Sequence, residues 1–155
     1  MENLNRKTLL TGLLIMSFLL FTVAGVMDVI AAPRSTPRGT DSELLARIIR
    51  AEAEAEPYLG QVAVGAVILN RIQSSKFPKT LAGVIYQPHA FESVSNGQAN
   101  RPATTSTRKA ARAAINGWDP SGGALFFFNP GKVGGRSYVW TRKIIQKIGK
   151  HVFAL

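Results

Sequence analysis

Asp41-Ser-Glu-Leu-Leu-Ala-Arg-Ile-Ile-Arg-Ala-Glu-Ala-Glu-Ala-Glu56, closed by Pro57, decides how this chain is read. Leu45, Ile48 and Ile49 recur at i, i+3 and i+4, the core-facing stripe of one amphipathic helix. Seven residues beyond Leu45 the same stripe reaches Glu52, and eleven beyond it reaches Glu56. Glu54 falls about 200° around the helix from Glu52, at roughly 100° per residue, and is expected to face water. Glu52 thus occupies a position where an apolar residue is expected, and two readings are open. It is either part of a solvated acidic helix end or a carboxyl held against apolar surface. The second kind has a raised pKa and keeps a proton near neutral pH, as a general acid must.

The residues around this helix order themselves by local signals. Thr40 or Asp41 is the expected N-cap, with Thr40 and Glu43 spaced as a capping box. After the Glu56-Pro57-Tyr58 link, Tyr58–Ile72 reads as a second helix, apolar over much of its girth and central, forming a helical hairpin with the first. Ala63, Gly65 and Ala66 would admit a close helix neighbour, and Asn70 and Arg71 read as polar groups closing the helix end. A short helix capped by Thr80 precedes Pro88, and a turn is expected at Asn96-Gly97. Thr104–Gly117 reads as an alanine-rich helix with Thr105 or Ser106 as cap, Gly117 at its C-terminal stop, and Ala110, Ala113 and Ala114 as packing face. Ala124–Asn129 and Arg136–Thr141 are the two expected strands, a hairpin with Phe126 and Phe128 on one face and Phe127 on the other. So many rings on a hairpin read as core, with a sugar-stacking platform at Tyr138 or Trp140 as the functional alternative. Arg142–Lys150 reads as basic and marginally helical. The fold class expected is therefore α+β, mainly helical with a small antiparallel β-hairpin.

Composition narrows the function. The 155 residues include no cysteine, which excludes disulfides, thiolate metal sites and cysteine nucleophiles. His89 and His151 are not spaced as a ligand pair, so no metal is expected. Residues 1–7 carry Arg6 and Lys7, and Leu9–Met27 is a nearly unbroken apolar run, a basic start and hydrophobic core of an export signal. Small residues at Ala31 and Ala32 followed by a polar segment favour cleavage, with an uncleaved anchor as the alternative for so long a run. Residues 1–32 are thus expected to be a signal peptide or membrane anchor, 33–40 a Pro/Gly linker, and 41–155 the catalytic domain. Beyond residue 32 there are 17 basic and 7 acidic residues, so the whole net charge of +10 belongs to the exported part. Such a domain is drawn to polyanions, and export directs it to anionic wall polymers rather than nucleic acid.

No nucleophile elbow, phosphate loop or dinucleotide fingerprint occurs, so carboxylate chemistry is what remains. An acid on a helix facing a cleft closed by a small hairpin is the arrangement of lysozyme-type glycan-cleaving enzymes. Glu92 is the carboxylate best placed to arrive from another element, against the plainer reading of an exposed loop residue.

These residues also resemble a known family. Ile49-Arg-Ala-Glu-Ala-Glu-Ala-Glu-Pro-Tyr-Leu-Gly-Gln-Val-Ala-Val-Gly-Ala-Val-Ile-Leu-Asn-Arg-Ile72 is similar to the signature of bacterial cell-wall hydrolases related to the spore cortex-lytic enzymes. Phe77–Pro88, Phe91–Gly97, Ala124–Pro130 and Ile148–Phe153 follow in matching order. The resemblance covers Ser42 to the C-terminus. It implies a lysozyme-like α+β domain without cofactor that cleaves peptidoglycan, often as a lytic transglycosylase of muramic δ-lactam cortex, the material degraded at germination. It places the catalytic glutamate at Glu52 and the second of the pair at Glu56. One departure is visible: the family usually has Glu-Ala-Arg-Gly-Glu where this chain has Glu52-Ala-Glu-Ala-Glu56. The expected partner is the glycan strand, with supporting or substrate-binding roles for Glu56, Glu92, Tyr138 and Trp140. Some relatives carry a peptidoglycan-binding module, and none is seen here, so attachment is expected to rest on charge or an accessory protein. The chain is expected to act as a monomer. The alternatives are a hydrolytic muramidase or glucosaminidase, and a non-catalytic cationic wall-binding protein.

Overall fold

A computed structural model describes residues 39–155; the expected export signal, its expected cleavage site and most of the expected linker lie outside them. Five helices come first in the order α1 (Gly39–Ala53), α2 (Tyr58–Gln73), α3 (Leu81–Ile85), α4 (Glu92–Ser95) and α5 (Thr105–Ile115). Strands β1 (Phe126–Phe128), β2 (Ile144–Ile148) and β3 (His151–Ala154) complete the domain, with short 3₁₀ turns at Gln98–Asn100 and Tyr138–Thr141.

In α1, Leu45, Ile48 and Ile49 are fully buried, as the 3.6-residue period requires. Its start and end both differ from expectation. The helix already begins at Gly39, so Thr40 and Asp41 sit in its first turn and the N-cap lies outside the described residues. Glu43 makes no capping box: it accepts both Nε and Nη2 of Arg108 at 2.9 Å, tying α1 to α5 across the surface. The helix stops at Ala53, four residues before Pro57, which has no N–H to bond the Ala53 carbonyl and whose ring would clash with it in a continued helix. Glu56 is therefore not on the helical stripe but in the turn beyond it.

Helix α2 is the central element, buried from Gly60 through Ile68. At Gly65 a Cβ would lie 2.8 Å from Ile49 Cδ1 and 3.2 Å from Ala114 Cβ, which shows how closely α1 and α5 press on it. The buried amide of Gln61 closes the α1–α2 turn. Its Nε2 donates to Glu56 O at 3.2 Å, and its Oε1 accepts from Ser106 Oγ at 2.9 Å. Orphan carbonyls at a helix end are thus paired inside the protein.

Asn70 and Arg71 do not cap α2 with their side chains; backbone N–H of Ser74 does that. Asn70 Nδ2 donates to Asp119 Oδ2 at 2.9 Å and to Ala124 O at 3.2 Å, and Arg71 Nε donates to Leu125 O at 2.8 Å. The two residues fasten the end of α2 to the chain entering β1. The Arg71 guanidinium lies 5.3 Å from the Phe77 and Phe91 ring centroids and 5.7 Å from Phe126, a cationic post among three rings. Helix α5 is capped by Thr104, not Thr105 or Ser106, through a reciprocal bond with Thr107. Its buried face is Ala110, Ala111 and Ala114.

The sheet departs most from expectation. Only the first expected strand forms, as β1. Arg136–Thr141 is not its partner: Tyr138–Thr141 is a 3₁₀ turn, and the expected marginal helix at Arg142–Lys150 is strand β2. The sheet is antiparallel in the order β1-β3-β2, with Phe127 opposite Phe153 and Ile148 opposite His151. The final segment, His151–Ala154, is the central strand and is wholly buried. A two-residue Gly149-Lys150 turn joins β2 to β3, with Gly149 at φ +58°, a left-handed conformation that glycine adopts without penalty.

Candidate active site

Three segments converge at the C-terminal end of α1. Glu52 lies on the last turn of that helix, on the same stripe as Ile48 and Ile49. The 91–101 segment supplies Ser93, Asn96, Gln98 and Arg101, the sheet supplies Phe127, Phe128 and His151, and the loops beside its strands supply Asn129, Lys132 and Lys150. Together they enclose a cleft with two lobes of about 250 and 280 Å³, and Glu52 and His151 line both.

Glu52 is the carboxyl that periodicity singles out, and here it is half-buried. Burial, the largest influence, raises its pKa above the usual carboxylate value. Ser93 opposes this by donating its Oγ to Glu52 Oε1 at 2.5 Å, Glu92 adds to the rise by like-charge repulsion, and Lys132 and Arg71 lower it. Burial together with the neighbouring carboxylate outweighs the stabilisers, so the net shift is upward. The hydroxyl of Ser93 also fixes the direction in which the other carboxyl oxygen faces. Replacing Ser93 by Ala removes a donor to the charged form, so the Glu52 pKa should rise further. The alkaline limb of the pH–rate profile is then expected to move up in pH, while a lower kcat reports the loosened carboxyl; a profile that stays in place would show that Ser93 does not act on Glu52.

Glu56 lines one lobe but has a different occupation. Its Oε2 accepts the backbone N–H of Lys150 at 2.8 Å, which fastens the β2–β3 turn to the end of α1. Glu92 is exposed at the start of α4, lines the other lobe, and acts on Glu52 through its charge. Tyr138 and Trp140 are not brought to Glu52. They are 63% and 39% exposed on the 3₁₀ turn and line neither lobe; Trp140 meets the edge of Phe128 at 5.1 Å, and Arg142 lies 5.7 Å from the Tyr138 ring.

Two residues that sequence reading passed over complete the centre. Ser93 lies in the Phe91–Gly97 motif, where only a turn was legible. His151 was set aside for lack of a second ligand, yet it is 93% buried, with its ring 5.4 Å from Phe127 in an edge contact. Burial, partly opposed by Glu56 and assisted by Lys132, holds its pKa below the ordinary histidine value, so it is neutral at pH 7. Its Nδ1 is buried without a hydrogen-bond partner among the described residues.

This is a small α+β domain with a half-buried carboxyl, Glu52, lining a two-lobed cleft. A family model described as cell wall hydrolase matches residues 55–154, and the chain belongs to that family. The matched span begins three residues after Glu52 and includes Glu56. The chain is 50% identical over 113 residues to the spore cortex-lytic enzyme of Bacillus cereus, covering 73% of this chain and 43% of that protein. It is 42% identical over 97 residues to the cell wall hydrolase CwlJ of Bacillus subtilis, covering 58% and 68%. The catalytic domain of Bacillus cereus SleB superposes with a TM-score of 0.75 at 44% identity, covering 81% of this chain and 99% of that domain. The catalytic domain of the germination-specific lytic transglycosylase SleB from Bacillus anthracis gives 0.72 at 47% identity, covering 76% and 96%. These matches bear out the α+β, mainly helical fold class. The chain spans about two fifths of the length of the Bacillus cereus cortex-lytic enzyme.

Proposed function

We propose that this chain is an exported peptidoglycan-cleaving lytic transglycosylase, acting on the bond between N-acetylmuramic acid and N-acetylglucosamine. The observation that carries the reading is Glu52: a half-buried carboxyl with a raised pKa, oriented by Ser93, between two lobes that would hold sugars on either side of the scissile bond. Family membership and the likeness to two SleB catalytic domains support it. The export signal expected in residues 1–32 would put the domain outside the cytoplasmic membrane, where its +10 charge favours an anionic wall.

In this mechanism the Glu52 carboxylic acid gives its proton to the glycosidic oxygen as the C1–O bond breaks and positive charge spreads over C1 and the ring oxygen. The resulting Glu52 carboxylate then takes the proton of the muramic C6 hydroxyl. The C6 oxygen closes on C1, giving a 1,6-anhydro sugar and returning Glu52 to its acid form. One carboxyl serves as acid and then base, and no water is consumed. Neutral His151, on both lobes, is suited to hydrogen-bond a sugar hydroxyl without competing for the proton.

A second reading, water-using hydrolysis, has one observation in its favour: Glu92 lines the same lobe as Glu52. Mass spectrometry of released muropeptides separates the two, because the anhydro product is lighter by one water, about 18 Da. The expected spectrum shows the lighter species from the first time point; fully hydrated products would assign the reaction to hydrolysis. Running the digestion on cortex and on vegetative wall would settle which is the preferred substrate.

A further inference from the structure

The two lobes beside Glu52 differ in charge. One is walled by Phe127, Phe128 and Val133 with Ser93 and Asn96, and its added charge is the carboxylate of Glu92. The other is lined by four cations, Arg50, Arg101, Lys132 and Lys150, facing Glu52, Glu54 and Glu56. Lys132 also reaches the first lobe.

Two of those carboxylates are already engaged. Glu54 Oε1 takes Arg50 Nε at 3.1 Å, and Arg50 Nη1 donates to Pro102 O, so this pair neutralises itself. Glu56 Oε2 is held by the backbone N–H of Lys150, not by a side-chain cation. Arg101, Lys132 and Lys150 are exposed, and among the described residues none has a carboxylate within 4.0 Å. In a stem-bearing strand the sugars themselves carry no charge, because the lactyl carboxyl of muramic acid is taken up in the amide to the stem, so a cleft that bound those sugars alone would have no use for three such cations. On a muramyl strand the charge sits on the peptide stem attached through the lactyl group, whose free carboxylates are anions of the right sign.

We propose that Arg101, Lys132 and Lys150 form a subsite for the stem-peptide carboxylates, making the enzyme selective for glycan carrying acidic stems in this lobe. The inference rests on the glycan-cleaving function argued above. The asymmetry also sets direction: the opposite lobe shares Lys132 but sets Glu92 against it and has neither Arg101 nor Lys150, so an acidic stem is drawn to this lobe and the strand is bound in one orientation across Glu52. Because the three cations are solvent-exposed, the preference is salt-sensitive; the screening length is about 10 Å at 0.1 M salt.

The test uses glycan strands from cortex and vegetative wall, stripped of phosphate-bearing polymers, in three forms. These have intact stems, stems removed by an amidase with the freed lactyl carboxylate then capped as its methylamide, or stem carboxylates converted to methylamides. For the wild type, kcat/KM is expected to be about tenfold higher on intact stems than on either other form, mainly through KM, with the gap closing in high salt. In Arg101→Gln/Lys150→Gln the ratio should fall towards one, and in Arg101→Glu/Lys150→Glu the methylamide form should become the better substrate. Thermal melts establish that both variants fold, and the ratio within each variant cancels any general loss of activity. Equal wild-type rates on all three forms would overturn the subsite. So would a preference that survives both variants. Failure of the wild type to cleave any form would instead overturn the glycan-cleaving function, and this inference with it.

Discussion

Glu52→Gln is expected to abolish clearing of wall or cortex suspensions, lowering turnover by about a hundredfold to ten-thousandfold, the usual contribution of a positioned general acid. The amide has the shape of the carboxyl and keeps an oxygen for the Ser93 hydroxyl, but it has no transferable proton. Binding is expected to persist, so co-sedimentation with sacculi should be retained while release of soluble muropeptides stops. Clearing at the wild-type rate would remove Glu52 from the mechanism, and the loss of both clearing and binding would point to misfolding. Stability supplies a control of opposite sign. A carboxyl whose folded pKa is raised by burial is bound to its proton more firmly in the native state than in the unfolded chain. Its contribution is complete below the unfolded pKa and is lost as pH rises through the folded value. Above the unfolded pKa the wild type therefore carries a cost that glutamine lacks, and at neutral pH the melting temperature of Glu52→Gln should equal or exceed that of the wild type. The same titration predicts that activity falls as pH rises through the Glu52 pKa, since the acid form starts the reaction.

Gly149→Ala is the second large effect, expected in stability and activity together. Gly149 turns the chain from β2 into β3 at φ +58°, where a side chain costs about 1–2 kcal/mol. An added Cβ would also fall 2.2 Å from Glu56 Oε2 and 2.8 Å from Pro57 Cδ, too close for either to remain where it is. The Glu56 carboxylate would have to release the Lys150 N–H, and the hairpin carrying Lys150 and His151 would lift from the end of α1. The combined loss is expected to be about 2–4 kcal/mol by chemical denaturation. Turnover should fall with it even at temperatures where the variant is fully folded. Glu56→Gln is the companion measurement: it can keep the bond to Lys150 N–H and should retain most of the activity. A Glu56→Gln variant as inactive as Glu52→Gln would show that Glu56 reacts rather than braces.

Legibility in the sequence followed the range of the interaction. Helices α1, α2 and α5 were readable because a helix writes its burial into a local period and its ends into nearby caps and prolines. Leu45, Ile48 and Ile49 are buried where that period puts them, and Glu52 shares their stripe. Glu56 was misread as part of the same stripe, since the period continues in the letters although the backbone turns out of the helix before Pro57. The sheet was misread for a related reason. Strand β2 is mostly exposed and carries an irregularity between Ile144 and Gln146, so its alternation is blurred. Arg136–Thr141, by contrast, has the β-branched and aromatic letters of a strand without a partner to pair with. Asn70 and Arg71 looked like helix caps because their true acceptors, at Asp119, Ala124 and Leu125, are about fifty residues away.

By itself, then, the sequence determined the central helical hairpin, the basic charge of residues 33–155, and one glutamate out of place on an apolar stripe. These are properties of neighbouring residues or of sums over the chain. The tertiary structure alone decided what that glutamate is. Its pKa depends on burial by distant segments, on a hydroxyl 41 positions along, on Arg71 of α2 and on Lys132 from the loop after β1. The central strand that carries His151 to the cleft is the last segment of the chain. No local pattern encodes those meetings, because they exist only once β3 has paired on both edges and closed against the helices.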